Sequence, residues 1–186
     1  MITYVKMNKK QLKNAFKHLK TVHIHRKLVC ENCFKCGLYA QGLVHDLSKY
    51  SPIELLSGMK YYQGDRSPLD LDQQINGYSK AWLHHQGRNK HHWEYWYAHL
   101  NHQFVPIEMP TRYLVESICD RIAASKIYLK DKYTDASPYE YLTRNNDRNY
   151  MHPNTAKEFE RILLYLKENG EEKTFEMLKK MVKENK

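Results

Sequence analysis

Apolar positions along the chain recur at intervals of three and four, and no stretch alternates long enough to suggest a strand. Phe159, Ile162, Leu163 and Leu166 give the helical period most clearly, and Phe175, Leu178 and Met181 or Val182 repeat it after Gly170. The punctuation between such stretches is that of helix starts. Ser51-Pro52-Ile53-Glu54 sets a capping serine before a proline at the first helical position and an acid at the third. Ser67-Pro68-Leu69-Asp70 and Ser137-Pro138-Tyr139-Glu140 repeat this grammar, and Thr155-Ala156-Lys157-Glu158 is a plain capping box.

Pattern and punctuation together predict helices over about residues 9–19, 22–36, 38–47, 52–62, 69–85, 92–102, 112–132, 138–143, 155–169 and 171–183. Gly37 stops the second, a polar loop covers residues 86–90, and Pro106 and Pro110 bracket another loop. The expected fold is all-α: one compact multi-helix domain over residues 1–186, with a C-terminal helical hairpin at about 152–186 that carries no chemistry.

Composition supports a real core, since 186 residues with 15 Tyr, 5 Phe and 3 Trp can bury a large apolar area. Charge narrows the partners. A net +9 with histidines neutral favours phosphate-rich molecules, either nucleic acid or small phosphorylated substrates, against the plain alternative of lysine-coated helices. Duplex nucleic acid is not expected, because no helix interleaves Arg and Lys with aromatics and no helix-turn-helix signature occurs. No run approaches the roughly 18 apolar residues of a membrane span, and Met1 to Lys20 is polar, without the apolar region of a secretory signal. A cytoplasmic protein with reduced thiols is therefore expected. Cys30-x2-Cys33-x2-Cys36 has zinc-like spacing, but a spacing of three is helical and the flanking Leu28, Val29 and Phe34 are apolar, so it reads as a buried helix face.

The candidate chemistry begins in Gly42-Leu43-Val44-His45-Asp46-Leu47-Ser48-Lys49, where a His-Asp pair ends an apolar run. Adjacent side chains on a helix diverge by about 100°, so both can face one ion only if it lies between them. Other groups could complete a site. His25 points inward with Val29 and Cys33; the pairs His84-His85 and His91-His92 flank the polar loop; Asp120 lies among Cys119, Ala123, Ala124 and Ser125. Singly, each has a plainer reading as a hydrogen-bonded core histidine, a capping aspartate or a surface pair. As an ordered series of His, His-Asp, His, His and Asp they offer the imidazoles and carboxylates that a divalent first-row metal accepts, for one ion or for two with a bridging carboxylate.

This order resembles the HD-domain superfamily of metal-dependent phosphohydrolases. Within it the chain is closest to an HD-like family of unknown function found in bacteria and their phages. The resemblance rests on His25-x3-Val29, the Gly42–Lys49 stretch, Ser51-Pro52-x-Glu54, His84-His85 with Asn89, His91-His92-x-Glu94-Tyr95-Trp96, and Asp120, and spans roughly residues 20–130. It implies His25, His45, Asp46 and Asp120 as the core ligands, with Asp46 as the bridge. His84 and His92 are the favoured members of their pairs for a second ion, and His85 and His91 then contact substrate or support a ligand. The two pairs lie closer together than in other two-metal members, which leaves one or two ions open, with Mn, Fe, Co, Ni, Zn or Mg as the metal. Asp46 and Lys49 would be catalytic, and Lys49, Arg88, Asn89 and Lys90 would hold the substrate phosphate. Glu54 is read as a helix cap first, and Trp93, Tyr95, Trp96 and Tyr97 as packing.

The implied activity is hydrolysis of a phosphorylated small molecule or nucleotide, in a bacterial cytoplasm. The same ligand order would also serve a di-iron oxygenase, and a protein that binds a nucleotide without turnover is a third expectation.

Overall fold

The computed structural model describes residues 9–185, so part of the polar N-terminal stretch read from Met1 to Lys20 lies outside the described residues. Among the described residues the chain forms eight α-helices and one two-stranded sheet. The first, α1 (Lys9–Lys35), runs unbroken where two helices were expected. No glycine or proline interrupts residues 19–22, and the hydroxyl of Thr21 bonds back to the Lys17 carbonyl at 3.0 Å, so it does not act as a cap. Gly37, with φ of 79°, ends this helix as expected.

Next come α2 (Tyr39–Val44), a 3-10 turn at Leu47–Tyr50, and α3 (Pro52–Tyr61). The single helix expected over residues 69–85 is two, α4 (Pro68–Asn76) and α5 (Lys80–Gln86). Gly77 turns left-handed at φ 76°, and the Ser79 hydroxyl caps the second helix by accepting from the Trp82 amide. The helix expected over residues 92–102 is replaced by a 3-10 turn at Trp93–Tyr95 and an antiparallel hairpin of β1 (Tyr97–Leu100) and β2 (Gln103–Pro106). Asn101 and His102, at φ 47° and 62°, are the pair of positive-φ residues that a type I′ hairpin turn requires. Tyr97, Phe104 and Val105 are strand formers, but strands of four residues are too short for a period to show.

The rest of the chain follows its pattern. α6 (Thr111–Leu129) and α7 (Ser137–Asn145) lead to α8 (Pro153–Glu184), which Gly170 breaks at φ 80° and ψ 171°. The two arms fold back on one another, since the Arg161 guanidinium lies 3.6 Å from Met177 Sδ and 3.7 Å from Met181 Sδ. The expected C-terminal hairpin is thus present. Its face of Phe159, Ile162, Leu163, Leu166, Phe175 and Leu178 packs on Val115, Ile118 and Ile122 of α6. Each such side chain contributes about 1.5–3 kcal/mol on burial, so this interface anchors α6. Cys33 of α1 and Cys36 just beyond its end join the same core, and Cys36 Sγ lies 3.8 Å from Cys119 Sγ; all four thiols are free. No helix among the described residues is long and apolar enough to cross a membrane.

α1, which carries His25, and α2, which leads into the His45–Asp46 pair, meet at Gly42. A Cβ there would stand 3.0 Å from Cys33 Cβ and 3.2 Å from the Cys30 backbone, so α2 rests directly on α1. Gly42→Ala gains the helix preference of alanine, about 1 kcal/mol, but forces the two backbones apart. The net expectation is a loss of about 1–2 kcal/mol, read as a lower urea midpoint with unchanged far-UV circular dichroism.

Candidate metal centre

The His-Asp pair does not lie on a helix. α2 ends at Val44, His45 is extended (φ −48°, ψ 128°), and Asp46 is left-handed (φ 53°, ψ 27°). Aspartate is one of the few residues that adopts this conformation at modest cost. The turn swings both side chains to one side, which removes the 100° divergence that a helix would impose. Arg26 fixes the turn from α1, its Nε donating to the His45 carbonyl at 2.7 Å and its Nη2 to the Leu43 carbonyl at 3.0 Å. Two carbonyls at the end of α2 are thereby satisfied.

Around Asp46, which is 1% exposed, the fold gathers two groups of side chains. The first is His25, His45, Asp46 and Asp120. His25 Nε2 lies 2.9 Å from Asp120 Oδ1 and 3.6 Å from Asp46 Oδ2, and His45 Nε2 lies 3.3 Å from Asp46 Oδ2 and 3.7 Å from Asp120 Oδ1. The second is Asp46, His85, His91 and His92. His85 Nε2 and His91 Nε2 lie 3.4 and 3.5 Å from Asp46 Oδ1, and His85 Nε2 lies 2.9 Å from His92 Nε2. Donors held about 2.1 Å from one ion stand about 3.0–3.4 Å apart when adjacent, so both groups have the spacing of a ligand set. Within each group all donor atoms lie within 4.8 Å of one another.

Despite these short approaches, His25 Nε2, His45 Nε2, His91 Nε2 and Asp46 Oδ1 are buried and make no aligned hydrogen bond. These buried His and Asp side chains could hold a metal ion. The buried carboxylates are held ionised by the cationic and hydrogen-bonding groups around them. Burial opposes charge on Asp46 and Asp120, yet His45, Lys49 and His85 hold Asp46, and His25 and His45 hold Asp120, well below the usual carboxylate range. Burial likewise opposes protonation of His45, and Asp46, Asp120 and Glu116 outweigh it; His92, buried beside His91 and His85, is pushed well down.

A second layer of carboxylates orients the imidazoles. Glu54, expected as a cap, is 3% exposed and accepts from His84 Nδ1 at 2.6 Å and from His85 Nδ1 at 2.8 Å. Glu116 accepts from His45 Nδ1 at 2.9 Å and approaches His91 Nδ1 at 3.3 Å. Burial raises its pKa, but those two hydrogen bonds win and bring it down to about 2. An imidazole that donates through Nδ1 presents the Nε2 lone pair to a metal. Sequence reasoning missed Glu116 and Arg26. The signal for Glu116 was its place one turn before Asp120, on the same face of α6.

Of the residues singled out in the sequence, the structure brings His25, His45, Asp46, His92 and Asp120 together. It adds His85 and His91, expected as substrate contacts, and leaves His84 outside both groups on Glu54. Lys49 Nζ lies 2.8 Å from Asp46 Oδ2, with a quarter of its side chain exposed. Burial lowers its pKa, and Asp46 and Asp120 more than restore it, so it stays charged. Arg88 and Lys90 do not enter the site. Arg88 is exposed against the His84 carbonyl, and Lys90 lies over the Tyr95 and Tyr113 rings at 5.9 and 5.7 Å. Asn89 braces the loop, its Nδ2 donating to Ser48 Oγ and to the His85 carbonyl, both at 2.8 Å. A cleft of about 520 Å³ opens from the two groups, lined by Lys49, Arg66, Arg121 and Arg144 among others. Trp93 and Trp96 pack against the core, as expected.

A family model described as a family of unknown function (DUF5662) matches residues 14–164, and the chain belongs to that family. No curated protein and no solved structure gives a match.

His18 lines the cleft two turns before His25, so close to α3 that a Cβ on Gly58 would stand 2.1 Å from its Nε2. Burial, and then the charge of Lys49, lower its pKa from 6.5 to about 4. The unfolded chain therefore binds the extra proton between these values. The stability contributed by this group is full above about pH 6.5 and declines as the pH falls towards about 4. A shift of this size corresponds to about 3 kcal/mol. His18→Gln is expected to flatten that part of the stability profile, measured by urea midpoints at closely spaced pH values.

Proposed function

We propose that this member of a family of unknown function is a metal-dependent phosphohydrolase, acting on a phosphorylated small molecule or nucleotide. The observation that carries the reading is the convergence of buried, unpartnered donors: Nε2 of His25, His45 and His91, and Oδ1 of Asp46. Unpaired polar atoms in an interior cost free energy, and cations held between them would remove that cost. His25, His45, Asp46 and Asp120 would hold one ion, and Asp46, His85, His91 and His92 a second, with Asp46 shared. The imidazole-rich donor set fits Mn, Fe, Co, Ni or Zn better than Mg, which prefers oxygen and retained water. The HD-type order of these residues along the sequence supports the same reading.

When bound, such ions lower the pKa of a water towards neutrality and take up charge from phosphoryl oxygens. The chain's own residues then have distinct tasks. Asp46 aligns the two groups. Lys49, charged and facing the cleft from 2.8 Å above the Asp46 carboxylate, binds a phosphoryl oxygen. Arg121 lines the same cleft, with its guanidinium over the Tyr141 and Phe159 rings at 5.2 and 5.1 Å and its Nη2 3.8 Å from Asp147 Oδ2, so its charge is already paired. Arg88 and Lys90, which do not enter the site, have no part in holding the substrate anion.

One observation favours a second reading. Three imidazoles to one shared carboxylate in the second group also suit iron, as an HD-type di-iron oxygenase would need. Iron at about two per chain with oxygen consumption, and no phosphate release from phosphorylated compounds, selects the oxygenase. Phosphate release with Mn, Co or Ni selects the hydrolase.

The purified protein is expected to carry divalent metal by elemental analysis and to release phosphate from members of a panel of phosphomonoesters, phosphodiesters and nucleotides. Asp46→Ala should lose both properties, and an Asp46→Ala protein with full metal content sinks the assignment. Lys49→Ala should keep its metal and lose at least about tenfold in kcat/KM, about 1.4 kcal/mol of transition-state stabilisation.

A further inference from the structure

One carboxylate touches a histidine of each ligand group. Glu116 Oε1 lies 2.9 Å from His45 Nδ1, in the first group, and 3.3 Å from His91 Nδ1, in the second. The opposite nitrogens of those two rings face Asp46, at 3.3 Å from Oδ2 and 3.5 Å from Oδ1. Asp46 and Glu116 therefore grip the same pair of imidazoles from the inside and the outside. Glu116 is itself held. Its Oε2 accepts from Gln41 Nε2 at 2.6 Å, and Gln41 Oε1 accepts from Arg112 Nε at 2.7 Å. The Glu116 carboxylate is already engaged, Oε1 by the hydrogen bond from His45 Nδ1 and Oε2 by that from Gln41, and His91 Nδ1 stands beside it at 3.3 Å. Glu54 offers the contrast. It supports His85 of the second group and His84, which belongs to neither.

We infer that Glu116 is a positioning residue that couples the two ion positions, so that filling one orients a histidine of the other and the ions load together. The inference rests on the two-ion reading above. Its physical basis is tautomer and rotation. An Nδ1–H that donates to Glu116 leaves Nε2 free for an ion and locks the ring plane. Fixing His45 fixes Glu116, and a fixed Glu116 orders His91 before the second ion arrives. The ordering entropy of the shared unit is then lost once instead of twice, which is positive coupling without a change of fold.

The test is titration of the metal-free full chain with Co²⁺, followed by calorimetry and by cobalt absorption, with bound metal counted by elemental analysis. The wild type is expected to take up two ions in one cooperative step. Glu116→Gln keeps the shape but sets an amide donor against Gln41 Nε2. It should weaken both ions by about 10–100-fold and split the uptake into two steps. Glu54→Gln should weaken one ion and spare the other. Should Glu116→Gln fail to fold by circular dichroism, Gln41→Ala, which leaves the carboxylate in place but unheld, should show the same two-ion weakening to a smaller degree. Two independent wild-type steps, or a folded Glu116→Gln that loses affinity at one position or at neither, overturns the coupling and leaves the metal reading standing. A wild type that binds no Co²⁺ overturns both.

Discussion

A carboxylate that is 1% exposed cannot remain ionised in a protein interior without cations around it, and Asp46 is such a carboxylate. Much of the surrounding structure follows from that requirement. Lys49 meets one oxygen, and His25, His45, His85 and His91 close around both. The imidazoles are packed closely: the His45 and His91 ring centroids are 4.3 Å apart, and those of His91 and His92 are 4.2 Å apart. Lys49 alone cannot balance Asp46, Asp120 and Glu116. The His and Asp groups of this cluster are spaced so that they could hold a metal ion, which would add positive charge.

The scaffold is arranged to hold this cluster rigidly. α6 is buried nearly all round, and the sides of the helix divide the work. Val115, Ile118 and Ile122 face the α8 core, while Glu116 and Asp120, one turn apart, face the cluster. α1 does the same with Val29 and Cys33 towards the core and His25 towards Asp46. The apolar interface thus fixes the axes of two helices, and the charged groups are carried to within hydrogen-bonding distance as a consequence. Arg26, next to His25, adds the link to the α2 terminus, so that α1 positions a ligand directly and the His45–Asp46 turn indirectly.

The sequence made the helical pattern of α1, α6 and α8 legible because long amphipathic segments repeat their period many times. It also exposed the series His25, His45, Asp46 and Asp120, because rare residue types stood in an interpretable order. It concealed the hairpin at residues 97–106, where strands of four residues leave no period to detect. It concealed that His85 faces the centre while Glu54 draws His84 away, and that both His91 and His92 face it. Glu54 illustrates the general difficulty: an acid at the third position of a helix satisfies the local grammar of a cap, while tertiary packing gives it a different partner thirty residues on. Arg88 and Lys90 were placed at the site by sequence proximity to the histidines, but the loop turns them towards solvent and the Tyr95 and Tyr113 rings.

The adjacency of His45 and Asp46 then has a physical explanation. On a continuous helix the two side chains would diverge, and only one could reach the cluster. Ending α2 at Val44 and turning through a left-handed Asp46 brings both inward, and the residue that must adopt the strained conformation is one that tolerates it. Substitutions at position 46 therefore act through two channels, loss of the shared oxygens and a change in the cost of the turn. Asparagine, which also tolerates the left-handed region, separates these channels where alanine does not. The turn is stable because its freed carbonyls have a donor in Arg26 and its carboxylate has cations around it. The strained backbone and the buried charge at Asp46 are thus compensated by the same neighbours that make the site able to hold metal.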